Sequence, residues 1–115
     1  MSSEEINFSY GHTVTADAGS SGEASLLTVT AAKKLTVKRV KVHFPAGSQY
    51  QLQVALLRGA EQAVPNGGYI AGDDNVIIVE CSQEYLSGED VKVWYNNVDA
   101  ANPHGCFVLV EGVRE

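Results

Sequence analysis

Between residues 35 and 110 the chain is a succession of short apolar segments, cut by three polar stretches. These are Phe44-Pro45-Ala46-Gly47-Ser48, Gly72-Asp73-Asp74-Asn75 and Asn96-Asn97-Val98-Asp99-Ala100-Ala101-Asn102-Pro103-His104. Gly, Pro, Asn and Asp at this spacing punctuate strands and leave no room for long helices. The pattern predicts a compact antiparallel β domain whose polar residues gather in turns.

The segment from 35 to 44 is the most explicit. Its apolar residues stand at Leu35 and Val37, then at Val40, Val42 and Phe44. The alternation slips by one at Lys38-Arg39, and a strand keeps one face inward only if it absorbs the extra residue. The slip therefore predicts a β-bulge, with Lys34 and Thr36 before it and Arg39, Lys41 and His43 after it facing out. Pro45 ends the strand.

Leu52, Val54 and Leu56 alternate with glutamines, as in a half-solvated strand. Residues 58 to 68 read as a long loop ending in Asn66-Gly67-Gly68. Val76-Ile77-Ile78-Val79 is apolar on both faces, as expected of a central strand or of one covered by another subunit. Val91, Val93 and Tyr95 alternate with Lys92, Trp94 and Asn96. Phe107 to Val110 is the last strand, again apolar on both sides, and residues 82 to 87 are the one place where a helical turn fits.

Upstream, Ile6, Phe8, Tyr10 and Val14 alternate loosely, as in an edge strand or an arm. A Gly/Ser-rich turn, a strand at Leu26-Leu27-Thr28-Val29-Thr30 and a polar connection at Ala31-Ala32-Lys33-Lys34 follow. The expected fold is all-β: an antiparallel β-sandwich of seven to eight strands, jelly-roll-like. An immunoglobulin arrangement fits poorly, because Trp94 lies only 13 residues after Cys81 and 12 before Cys106. One domain is expected, with residues 1–30 as an arm and first strands that could anchor it, and residues 31–115 as the sandwich body.

At 115 residues and 44% apolar content the chain can build one modest core. No run approaches the roughly 18 apolar residues that cross a bilayer, and Met1-Ser2-Ser3-Glu4-Glu5 lacks the features of a secretory signal, so a soluble, non-exported product is expected. Cys81 and Cys106 each lie in an apolar run and read as reduced core thiols. A bridge between them requires neighbouring strands.

The net charge of −6 is uneven: residues 1–48 sum to +1 and residues 49–115 to −7. Lys38, Arg39 and Lys41 form a basic stripe on one strand. Nucleic-acid binding is not expected, since the stripe has no interleaved aromatics and the acidic remainder repels a polyanion. Lysine on a strand guards an edge, and opposite charge on two halves suits packing against copies or an acidic partner.

No catalytic constellation emerges. No Ser or Cys stands in a strained elbow, and the three histidines, His12, His43 and His104, do not suggest a cupin-type site because His43 points outward with Arg39 and Lys41. The region from Trp94 to Phe107 has the first ligands of a copper site, but no later His or Met follows His104 and Cys106. Asp73, Asp74 and Asp99 are weak calcium candidates, and equally the residues that turns use. No cofactor is expected. Trp94, Tyr95, Tyr69 and Tyr85 would, if exposed together, stack on sugar rings, which makes a carbohydrate-binding or adhesion module the alternative reading. Its working parts would be Trp94, Tyr95 and the loop with Asn97 and His104.

The order Val40-x-Val42-x-Phe44-Pro45-x-Gly47-Ser48, Leu52-x-Val54-x-Leu56, Gly72-Asp73-Asp74, Val91-x-Val93 and Asn97-x-Asp99 ahead of Pro103-His104 resembles small β-sandwich structural proteins from the virion modules of tailed phages and related viruses. The resemblance spans about residues 35 to 110. It implies a non-enzymatic capsid decoration, turret or spike component, made in the host cytoplasm and located on the virion. Such a protein assembles with copies of itself and with the capsid shell, with a glycan as a further candidate partner, but not with nucleic acid or membrane. Lys38, Arg39, Lys41, Trp94, Tyr95, Asn97 and His104 are the partner-contact candidates. Strands apolar on both faces agree with assembly, because they carry more apolar surface than one sandwich core needs.

Overall fold

Eight strands are distributed between two antiparallel sheets in a computed structural model that describes residues 6–30, 33–65 and 67–115. They are β1 (Ile6–Ala16), β2 (Ser21–Thr28), β3 (Leu35–Phe44), β4 (Leu52–Arg58), β5 (Glu61–Val64), β6 (Asn75–Tyr85), β7 (Asp90–Asn97) and β8 (His104–Arg114). The first sheet has the order β1-β8-β3-β6 and the second β2-β7-β4-β5. The chain crosses from sheet to sheet at almost every connection, and only β4 and β5 are consecutive in one sheet. This interleaving is the jelly-roll arrangement that the turn spacing predicts.

The bulge stands where the alternation slips. Pairing of β3 with both β6 and β8 shifts register between Val37 and Arg39. The extra residue lets Leu35 and Val37 face the core on one side of the shift and Val40, Val42 and Phe44 on the other, all buried. Gly112 lies opposite Val37, and a Cβ there would run into the Thr36 carbonyl oxygen and the Lys38 nitrogen. The bulge and the glycine therefore require each other.

Val14, Val37, Val40, Val42, Phe44, Val108 and Val110 of the first sheet meet Leu52, Val54, Leu56, Val91 and Val93 of the second. Full burial of such a side chain is worth about 1.5–3 kcal/mol, and an exposed ion pair typically below about 1, so this core sets the stability. The void between the sheets is about 10 Å³, lined only by apolar residues such as Val40, Val54 and Val108. Tyr85 crosses the core, and its hydroxyl donates to the Leu57 carbonyl at 2.8 Å.

All three polar stretches gather at one end of the sandwich, where backbone bonds tie the loops in series. Gly19 N donates to Asp99 O at 2.8 Å, Val98 N to Gln51 O at 3.0 Å, Tyr50 N to Gly72 O at 3.1 Å and Asp74 N to Pro45 O at 3.3 Å.

Several expectations are corrected. Of the two readings of the amino end, the described residues 6–30 take the edge strand and not the arm: β1 pairs along its whole length with β8 and β2 with β7, one edge strand in each sheet. Residues 1–5, 31, 32 and 66 lie outside the described residues. The long loop after Arg58 contains β5, which turns back on β4. Residues 82–85 continue β6 and form no helical turn. Val76 to Val79 belongs to β6, an edge strand and not a central one. Thr36 is only 8% exposed despite its outward side.

Candidate functional site

The loop from β7 to β8 is a closed hydrogen-bond system. Asn97 is 1% exposed, and its Nδ2 donates to the carbonyls of Ala16 (3.3 Å), Asp17 (3.2 Å) and Asn102 (2.9 Å). Its Oδ1 accepts from Asp99 N at 3.0 Å. Asp99 Oδ1 accepts from the backbone nitrogens of Ala101 (2.9 Å) and Asn102 (3.2 Å), while Oδ2 accepts from Asn102 Nδ2 (3.2 Å) and His104 Nε2 (2.9 Å). These donors, the Ala101 N–H foremost and then His104, hold the Asp99 carboxyl down at about 2. Asn97, Asp99 and His104 are thus engaged with one another and with β1, not with the solvent side of the loop.

The other carboxylates do not join them. Asp73 Oδ1 accepts from Gly47 N at 2.9 Å, and Asp74 sits at φ 51° in the same turn. Among the described residues no group of three or more His, Cys, Asp or Glu side chains is close enough to hold a metal ion. Cys81 and Cys106 are free; β3 lies between their strands. Two strand spacings amount to about 9.5 Å, beyond the reach of about 7 Å for a bridge. Burial pushes the Cys106 thiol up to about 12.

The aromatic candidates separate. On β7, Tyr95 packs inward against the core over Gly22, whereas Trp94 points outward between Glu23 and Ala55. Adjacent residues on a strand face opposite sides, so the two cannot share one stacking platform. Tyr85 is fully buried, and of these four candidates only Tyr69 is strongly exposed.

Arg39 and Lys41 of the basic stripe are neutralised within the molecule. Arg39 Nε meets Glu80 Oε1 at 3.2 Å and Arg39 Nη1 meets Glu111 Oε1 at 4.0 Å; Lys41 Nζ lies 3.0 Å from the same Glu111 oxygen. Lys34 reaches Glu84 (3.7 Å) and Glu115 (3.5 Å). The Glu80 hydrogen bond holds the Arg39 guanidinium above its ordinary value. The uneven charge of the two chain halves is therefore matched across neighbouring strands. Since β3 lies between β8 and β6, its lysines do not guard an edge. Lys38, at the bulge, is exposed.

What remains is the outer face of the first sheet. Toward the loop end, Phe107 (43% exposed), Val76 (51%) and Ile78 (54%) stand outward, with half-buried Leu109 among them. The register sets them in two rows across the strands, Phe107-His43-Val76 and Leu109-Lys41-Ile78. A shallow depression of about 300 Å³ lined by Thr13, His43, Pro45, Gly105, Cys106 and Phe107 continues the patch. The next row, Glu111-Arg39-Glu80, is ionic. The face thus divides into a half where apolar residues of β8 and β6 flank His43 and Lys41 and a half that is ionic. Sequence reasoning flagged these strands as apolar on both sides, but the outward set needs the parity that the bulge imposes on β3.

No family model matches the chain, and no curated protein does. Among solved structures, the crystal structure of FLHE is similar with a TM-score of 0.51 at 11% identity, covering 96% of this chain and 98% of that one. The Bacillus endospore appendage structure, described as a novel family of disulfide-linked pili, aligns with a TM-score of 0.41 at 10% identity over 96% of this chain and 90% of that chain. A de novo designed double-stranded β-helix gives 0.36 at 14% over 88% and 96%. The FLHE likeness shows the fold alone.

Proposed function

We propose that this chain is a non-enzymatic structural protein that assembles with copies of itself, serving as a capsid decoration, turret or spike component of a virion. The observation that carries the assembly part is the outer face of the first sheet. Phe107, Val76 and Ile78 stand in solvent on one face while the charged groups beside them are paired with each other. Large apolar residues grouped in solvent on one face in this way mark a surface that another protein covers. The virion part rests on the resemblance of residues 35–110, and the capsid shell is the second partner it names.

Light scattering coupled to size exclusion tests the assembly. The expected result is a mass above 12.3 kDa that rises to a defined multiple with concentration. One chain at every concentration would overturn it. Peptides of the chain in purified particles, in fixed ratio to the shell subunit, support the virion role, and their absence removes it while leaving self-assembly.

A further inference from the structure

The jelly roll has four edge strands, and they differ in how they are protected. β5 has four residues, too short to template a partner. β2 is broken by a register shift between Ser25 and Leu27 and shows Ser21, Glu23 and Ser25 to solvent. The outward residues of β1 are Asn7, Ser9, Gly11, Thr13 and Thr15. β6 is the exception. It runs for 11 residues, with Val76 and Ile78 exposed outward and Ile77 and Val79 only partly buried inward. Among the described residues no strand pairs with its outer edge. A long edge that is apolar on both faces is the kind that proteins normally blunt.

We infer that β6 pairs antiparallel with β6 of a second copy, with Ile78 on the two-fold axis, so that two jelly rolls share one eight-stranded sheet. This rests on the self-assembly reading above and adds to it a contact along the sheet edge beside the apolar face. Two features fix the register. The β3–β6 pairing is regular from Asn75 to Glu80 and irregular between Glu80 and Gln83, so the middle of the regular run falls between Ile77 and Ile78. Charge excludes the nearest alternatives, since like charges directly opposite in a sheet repel. An axis at Glu80 sets that carboxylate against itself, and axes at Ile77 and Val79 bring Asp74, in the turn just before β6, toward Glu80 and Glu84. With Ile78 on the axis, Ile77 faces Val79 of the second copy, Val76 faces Glu80 and Asp74 faces Ser82. No like charges are then opposed. An axis at Cys81 also avoids repulsion, but it sets Ile78 against Glu84 and pushes Val76 past the end of the strand. A two-fold contact is self-complementary and closes on itself, which limits the pairing to two copies.

The test compares wild type with Ile78→Lys and Phe107→Lys by sedimentation equilibrium, with circular dichroism to follow folding. Ile78 is already solvent-exposed, so the lysine is compatible with the single chain but places two positive charges on the axis. Ile78→Lys is expected to halve the mass at concentrations where wild type is associated, while Phe107→Lys leaves the β6 pair intact. A spin label at Ser82→Cys in a Cys81→Ala background gives a second reading that survives even if Ile78→Lys does not fold. Ser82 lies four positions from the axis on each strand, so the backbones at the two labels stand about 27 Å apart. An Ile78→Lys protein that associates like wild type overturns the β6 pairing and leaves self-assembly standing. A label separation of about 7 Å, the Cys81 axis, overturns the register. A wild type that stays a single chain overturns this inference and the self-assembly reading together.

Discussion

His104 Nε2 donates to Asp99 Oδ2 at 2.9 Å, fastening the first residue of β8 to the loop that precedes it. Because its donors depress the Asp99 carboxyl from 3.8 to about 2, the ionised form is favoured in the folded chain. The stabilisation is present above the ordinary value and is lost as pH falls through the folded one. Thermal melts of wild type should therefore fall between pH 4 and pH 2 more steeply than those of Asp99→Asn, whose amide oxygen still accepts the backbone bonds. Parallel pH profiles would contradict this role.

Asn97 offers a sharper stability test. Asn97→Ala strands the carbonyls of Ala16, Asp17 and Asn102 without their donor in a buried site. Unsatisfied buried groups cost about 1–3 kcal/mol, and a loss of about 2–3 kcal/mol is expected in urea unfolding. Asn97→Asp, which sets a carboxylate against three carbonyls, should lose more. A change below about 0.5 kcal/mol in Asn97→Ala would refute the account, being no more than an ordinary surface substitution produces.

Two glycines on the first sheet should respond differently to alanine. At Gly112 the added methyl meets backbone atoms of Thr36 and Lys38, which cannot move without undoing the bulge. At Gly11 it meets the ring of Phe107, an exposed side chain that can swing aside. Overpacking typically costs about 1–3 kcal/mol, so Gly112→Ala should lie at or above the top of that range and Gly11→Ala near its bottom. Equal midpoints in denaturant would count against the coupling of bulge and glycine.

Tyr85→Phe removes the one hydroxyl that crosses the core, leaving the Leu57 carbonyl without that donor. A loss of about 1–1.5 kcal/mol is expected from equilibrium unfolding, with no change in mass or in the far-ultraviolet spectrum.

The bulge at Lys38 and the inward set of β3 are legible in the sequence because alternation is a strict geometric rule, and its slip has one structural remedy. The two-sided apolar character of residues 76–79 and 107–110 is legible for the same reason. β5 is not, since Glu61-Gln62-Ala63-Val64 carries little apolar signal and is held as a strand by β4. Nor are the engagements of Asn97 or of Arg39 and Lys41. Their partners come from β1, β6 and β8, and no local pattern announces which strands a jelly roll will set side by side. Trp94 and Tyr95 fell apart as a platform on parity that the sequence already contained.

The strand order has a consequence for biosynthesis. β8, the last of these eight strands to be synthesised, is interior to the first sheet and forms both of its remaining contacts, with β1 and with β3. Until it emerges, the sheet exists only as a β3–β6 pair and an isolated β1; the β1–β8 pairing joins segments roughly a hundred residues apart in the chain, and such non-local closure is slow. A chain terminated before His104 would therefore not be a shorter jelly roll. It would be half a sheet with β1 and β3 each bare along the edge that β8 fills, open to any neighbouring nascent chain that could supply the missing strand.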